Sequence, residues 1–211
     1  MKHPRVLLAD DHVMLLDALA HVIAAEFDIV GTAHDGWTLV EMAEQHHPDV
    51  IVLDISMPNL NGIDAARILK KKVSSAKLVF LTIHGDVPVV EEAFRAGASG
   101  YVLKICGAGE LVNAIQCVAR GATYITPHIA GDLISTLMTA EPQHAEKRNV
   151  PTLRQREVLQ LLAEGNTMKE VAVRLNISTR TAESHKYEMM RLLGVQTTAE
   201  LIRYAVQVKL V

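Results

Sequence analysis

The chain has 211 residues, 49% of them hydrophobic, with 24 Asp/Glu against 21 Lys/Arg; this suits one large or two small domains with a real core. No apolar run approaches the ~20 residues of a membrane-spanning helix, and the opening MKHPRVLLADDH turns acidic within ten residues, so it reads as neither signal peptide nor anchor. Cys106 and Cys117 are too few for a disulfide framework, and the expected setting is cytoplasmic, with both thiols reduced.

The net charge of −3 hides an asymmetry. Residues 1–150 hold 12 Lys/Arg and 18 Asp/Glu, net −6, whereas residues 151–211 hold 9 and 6, net +3. An acidic front and a mildly basic tail predict two modules with different partners.

In the front module, strand-like and helix-like stretches alternate. Residues 6–9 form a short apolar run, and Leu16, Leu19, Ala20 and Ile23 then repeat at helical spacing. Residues 29–33 predict a second strand and 38–45 a helix. Val50–Leu53 is four apolar residues in a row, the pattern of a strand buried on both faces; a helix follows at 63–71. Residues 78–82 and 101–103 complete five strands, with helices at 89–96 and 110–119. Five such units predict a parallel α/β sheet, doubly wound, with right-handed crossovers. Sites in such sheets lie beyond the carboxyl ends of the strands.

Those ends carry the chemistry. The first strand runs into Asp10-Asp11, the third into Asp54, the fourth ends in Thr82 and the fifth runs into Lys104. A buried charge is expensive, so Asp54 is expected at the sheet's rim, facing a shallow pocket. Clustered carboxylates call for a hard cation such as Mg²⁺, which takes a few carboxylates, waters and phosphate oxygens. A carboxylate can also attack phosphorus to form an aspartyl phosphate, with the cation and Lys104 neutralising charge and Thr82 donating a hydrogen bond. His12, His46, His47, His84 and His128 lack paired ligand spacing and read as surface or satisfied polar side chains.

Residues 127–138, PHIAGDLISTLM, have helical spacing with Pro127 at a helix start. The polar TAEPQHAEKRNVP that follows, with two prolines, reads as an interdomain linker. Beyond it, Thr152-Leu-Arg-Gln155 and Thr167-Met-Lys-Glu170 are capping-box patterns. Ser178 can cap a third helix that Gly194 terminates, and Thr197-Thr-Ala-Glu200 opens a fourth. The expected tail is an all-α bundle of four helices.

LLADDH (7–12), VLDISMPNLNG (52–62), FLTIH (80–84) and GYVLK (100–104), in this order, resemble the receiver domain of two-component response regulators. LRQREVLQLLAEGNTMKEVAVRLNIS and TRTAESHKYEMMRLLGVQTTAELIRYAV resemble the LuxR-type helix-turn-helix domain. Together they resemble the NarL/FixJ subfamily. The implied organisation is a receiver over 4–121, a helix and linker over 122–147, and a DNA-binding domain over 148–211.

The resemblance implies a flavodoxin-like sheet of five strands in the order 2-1-3-4-5. It implies Asp54 as phosphoacceptor and Mg²⁺ held by Asp11, Asp54 and the backbone carbonyl of Ser56, with Asp10 acting through water. Lys104 would pair with the phosphate, and Thr82 and Tyr101 would form the switch pair. In the tail the helix over about 178–193 would enter the major groove. Arg180, Glu183 and Ser184 match base-reading positions, while Lys169, Thr181, Lys186 and Tyr187 are candidates for phosphate contacts. His185 is expected to pack inside. The chain departs from the family at Ile105 after Lys104, at Gln155 and at Ala182.

The function implied is a phosphorylation-controlled transcription regulator. It would take its phosphoryl group from a sensor histidine kinase and bind double-stranded DNA as a homodimer when phosphorylated. It would not be an enzyme beyond slow loss of its own phosphoryl group. An aspartyl-phosphate phosphatase would want a second carboxylate at position 56, where Ser56 stands. A flavodoxin would want a phosphate-cradling loop where this chain has DDHVM. The remaining alternative keeps the receiver-like domain for ligand binding or dimerisation and regulates DNA binding without phosphorylation.

Overall fold

The computed structural model describes residues 3–131, 133, 151–175 and 177–207. Two compact units divide the chain, Met1–Thr139 and Ala140–Val211. No described helix is long and apolar enough to cross a membrane.

In the first unit the order is β1 (Arg5–Ala9), α1 (Val13–Ile23), β2 (Asp28–Ala33), α2 (Gly36–His46), β3 (Val50–Leu53), α3 (Gly62–Lys72), β4 (Lys77–Thr82), α4 (Val87–Ala96), β5 (Ala98–Leu103), a single 3₁₀ turn (Lys104–Cys106), α5 (Ala108–Ala119) and β6 (Tyr124–Ile125). Residues 127–131 begin a further helix, α6. All strand pairs are parallel, in the order β2-β1-β3-β4-β5-β6. The two-residue β6 adds a sixth strand to the five that the sequence predicts. A strand that short has no readable period of two.

The sheet is buried on both faces. Val6, Leu8, Val50, Val52, Val79, Leu81 and Val102 share a core with Leu16, Leu19 and Ile23 of α1 and Leu111, Ile115 and Val118 of α5. The alternate residues Leu7, Ile51, Leu53 and Phe80 are buried too, as the period of two requires. Helices α2, α3 and α4 pack side by side, and α1 packs on α5. The continuous apolar run of β3 is therefore explained by its central place between β1 and β4.

The second unit holds α7 (Leu153–Ala163), α8 (Met168–Arg174), α9 (Thr179–Leu193) and α10 (Thr198–Gln207). Both predicted capping boxes close, Thr152 with Gln155 and Thr167 with Glu170. Ser178 accepts from the Thr181 amide at the start of α9, and Gly194 ends that helix at φ 69°, a left-handed turn that glycine adopts without steric cost. Val158, Leu159, Leu162, Val171, Ala172, Ala182, Met189, Leu201 and Ala205 form the core. The predicted linker, and the helix expected through residue 138 beyond its first turns, lie outside the described residues.

Candidate functional site

Strand register assembles the site. Ala9 pairs with Leu53, so the residues that follow, Asp10 and Asp54, leave neighbouring strands side by side. Their backbones are held there: the Asp54 amide donates to the Ala9 carbonyl at 2.9 Å and the Asp10 amide to Ala33 at 3.1 Å. Thr82 pairs with Leu103, which brings Lys104 to the same edge. Its Nζ lies 2.7 Å from Asp10 Oδ2 and 2.8 Å from Asp54 Oδ2.

Asp54 is 4% exposed, so it is buried rather than set at an open rim. Its charge is tolerated because Lys104 meets Oδ2 and the Ile55 amide donates to Oδ1 at 2.7 Å. Burial opposes the Lys104 ammonium, but the Asp54 charge and the hydrogen bonds to Asp10 and Asp54 outweigh it and raise its pKa. The loop after β3 is drawn tight: the Gly62 amide donates to Ile55 O at 2.8 Å, and a Cβ on Gly62 would collide with the Asp54 carbonyl oxygen.

Two histidines join the pocket. His12 places Nδ1 3.0 Å from Asp10 Oδ1 and 2.9 Å from Asp11 Oδ1, and its amide donates to Asp10 Oδ1. The hydrogen bond to Asp10, then the Asp11 charge, raise the His12 pKa. Burial pushes the Asp11 carboxyl up, helped by Asp10 and Asp54 and opposed by His12. His84 sits 3.0 Å from Ser56 Oγ through Nε2, donates its amide to Thr82 Oγ1 at 3.3 Å, and accepts the Tyr101 hydroxyl at its carbonyl at 2.8 Å. Thr82 and Tyr101 are both fully buried and thus linked through one residue.

The donor set fits a divalent cation. Asp10 and Asp54 are buried with one shared ammonium, and Asp11 adds a third carboxylate, so negative charge is in excess. Ligand atoms of Asp10, Asp11 and His12 all lie within 4.8 Å of one another. Three carboxylates that share one ammonium and one imidazole suit a hard cation.

In the tail, Lys169, Arg180, Thr181, Glu183, Ser184 and Tyr187 are exposed. Lys186 is half-buried, with Nζ 4.6 Å from the centre of the Tyr187 ring. Ala182 and Met189 point into the core, so α9 presents one polar face outward. His185 Nδ1 is buried with no hydrogen-bond partner among the described residues, and burial lowers its pKa.

Residues 6–116 match the response regulator receiver domain, and residues 150–205 match the bacterial regulatory proteins of the luxR family. The chain belongs to the response-regulator family. This response regulator is 36% identical over 204 residues to the transcriptional regulatory protein MctR of Rhizobium johnstonii, covering 95% of this chain and 92% of that one. It is 32% identical over 213 residues to the oxygen regulatory protein NreC of Staphylococcus carnosus, covering 98% of each. Among solved structures it is similar to the RcsB response regulator of Salmonella typhimurium, with a TM-score of 0.75 and 25% identity over 99% of both chains. It is also similar to RcsB from Salmonella enterica serovar Typhimurium bound to a promoter in the presence of the phosphomimetic BeF3-. There the TM-score is 0.70 at 25% identity, over 96% of this chain and 98% of that one.

The response regulator thus pairs a receiver with a LuxR-type DNA-binding module and is a transcription regulator. Asp10, Asp11, Asp54 and Lys104, read from separate strand ends, gather at one edge of the sheet, with Thr82 and Tyr101 buried beneath the β4–α4 loop. His12, with an exposed side chain, and His84, with Nε2 3.0 Å from Ser56 Oγ, are the surface and satisfied polar histidines that the sequence predicts; what it did not predict is their contact with Asp10, Asp11 and Ser56. Ile105, the departure from the family, is 81% exposed and so leaves Lys104 free to turn inward.

Proposed function

We propose that this regulator is switched by phosphorylation of Asp54 from the phosphohistidine of a partner sensor histidine kinase, in the cytoplasm. The observation that carries the reading is the shared Lys104 ammonium, 2.7 and 2.8 Å from Asp10 and Asp54. An Asp54 Oδ attacks phosphorus, its O–P bond forms as the donor's P–N bond breaks, and the imidazole leaves. Asp11, Asp54 and the Ser56 carbonyl would hold Mg²⁺, with Asp10 acting through water, and the ion would supply neutralisation of the phosphoryl charge. Lys104 moves from the carboxylate to a phosphoryl oxygen.

Thr82 is the neighbouring hydroxyl donor. As its Oγ turns toward the phosphoryl group it gives up the His84 amide, and that frees His84 to loosen its bond with the Tyr101 hydroxyl. The face built by β4, α4, β5 and α5 then repacks between two discrete arrangements. The receiver (4–121) thereby controls pairing of the DNA-binding domains (148–211) across the intervening segment (122–147). A module whose residues 151–211 carry a net charge of +3 binds one half-site weakly, and a homodimer on two half-sites of double-stranded DNA gains by effective concentration. Arg180, Glu183 and Ser184 read bases; Lys169, Thr181, Lys186 and Tyr187 hold phosphates.

Acetyl phosphate with Mg²⁺ should add one phosphoryl group, measured by intact mass, and Asp54→Asn should add none. Labelling of that variant to the wild-type extent would overturn the assignment.

A further inference from the structure

We infer that Gln155 is a positioning residue for DNA recognition: its carboxamide grips Glu188 of α9, and the neutral side chain at 155 and the carboxylate at 188 form a matched pair that sets how α9 is presented to the major groove. The inference rests on reading α9 as the recognition helix and adds to it a residue on another helix.

Three observations carry it. Gln155 is 7% exposed and uses both ends of its carboxamide. Its Oε1 accepts the Thr152 amide at 2.9 Å and closes the capping box of α7, while its Nε2 donates to Glu188 Oε2 at 3.1 Å. The second bond spans 33 positions of the chain and joins two helices that pack together. The neighbouring Arg154 reaches the other helix of the pair, donating through its guanidinium to the Leu175 carbonyl at the end of α8. The first turn of α7 therefore holds α8 and α9 at once. Finally, Glu188 lies one turn beyond Ser184 on α9, and residues four apart share a helix face. Holding Glu188 thus fixes the roll of α9 beside Glu183 and Ser184.

The chemistry accounts for the departure from the family at 155. Glutamate there would still close the capping box, because that bond needs only an acceptor. It could not serve Glu188: a carboxylate only accepts, and two carboxylates set against each other repel. With a carboxylate at 188, a carboxamide at 155 satisfies both of its partners.

The test uses the full-length protein and two labelled duplexes, one selected by the wild-type protein from a randomised pool and one of unrelated sequence. The readout is the ratio of the two affinities by fluorescence anisotropy. A general change of charge or a loss of folded protein moves both affinities together and leaves that ratio in place. Gln155→Glu is expected to lower the ratio about tenfold, within the range of coupling inside one hydrogen-bond network. Combining it with Glu188→Gln exchanges the two groups and should restore the ratio to within about twofold of wild type. Glu188→Leu, which removes the acceptor and adds no charge, should lower the ratio about threefold and reads out the pair if Gln155→Glu fails to fold. Glu183→Ala tests α9 itself. If it lowers the ratio while Gln155→Glu and Glu188→Leu leave it unchanged, or if the double variant stays as low as Gln155→Glu, the positioning role is overturned and α9 remains the recognition helix. If Glu183→Ala leaves the ratio unchanged, the recognition helix is misassigned and the inference falls with it.

Discussion

Lys104 Nζ lies 2.8 Å from Asp54 Oδ2 although the two residues stand 50 positions apart in the chain. The pair is nearly dry, with side chains 14% and 4% exposed, and it is completed by Asp10 on the same ammonium. Lys104→Met strands two buried carboxylates. The receiver should lose about 3 kcal/mol of stability, the scale for removing one partner of a buried ion pair. Asp54→Asn in the same chain should recover part of that loss, giving a non-zero coupling in urea unfolding of the four-member cycle.

Gly62 should tolerate no side chain. A Cβ there meets the Asp54 carbonyl oxygen, which is backbone and cannot step aside. Gly62→Ala should therefore displace the turn that orients Asp54 and slow labelling by acetyl phosphate at least tenfold, since a misplaced nucleophile loses rate steeply. Intact-mass time courses provide the check.

Mg²⁺ should stabilise the receiver by mass action. At 100 times its dissociation constant the gain is about 2.7 kcal/mol, read as a shift in the urea midpoint of the full chain. EDTA should reverse it, and Asp11→Asn should show none.

In the tail, base reading and phosphate holding should separate. Glu183→Ala should alter the preferred sequence in a randomised-site selection. Lys186→Ala should weaken binding to all sequences and reduce the slope of log affinity against log salt by about 1. Loss of sequence preference in Lys186→Ala with an unchanged slope would reverse the two roles.

His185 should make the tail acid-sensitive. Burial, reinforced by Arg154 and opposed by Glu188, lowers its pKa in the folded chain. The unfolded chain then takes up the proton first, so stability is full above the ordinary histidine pKa of about 6.5. It falls as pH drops through that value and levels off below the folded-state pKa. His185→Gln should flatten this dependence between about pH 7.5 and 5.5, followed by urea titration of the full chain with a probe on α9.

Much of this was legible in residue order. Val50–Leu53 reads as a two-face-buried strand because four successive apolar residues, within an alternation of strands and helices, leave no polar face, and its observed bounds are the same. The capping boxes at Thr152 and Thr167 are local hydrogen-bond patterns, so the sequence alone places the starts of α7 and α8. β6 was invisible, since Tyr124–Ile125 becomes a strand only by borrowing a ladder from β5.

Local pattern by itself determined the strand–helix alternation, the identity of the residues at the strand ends, and the caps of the tail, because each depends on neighbours a few positions away. Tertiary structure alone decided that Asp54 is buried, that Lys104 serves Asp10 and Asp54 at once, and that His84 meets Ser56. Those outcomes depend on strand register and on which side chains meet across it. Desolvation and Coulomb attraction act through space, and the spacing of residues along a chain does not report them.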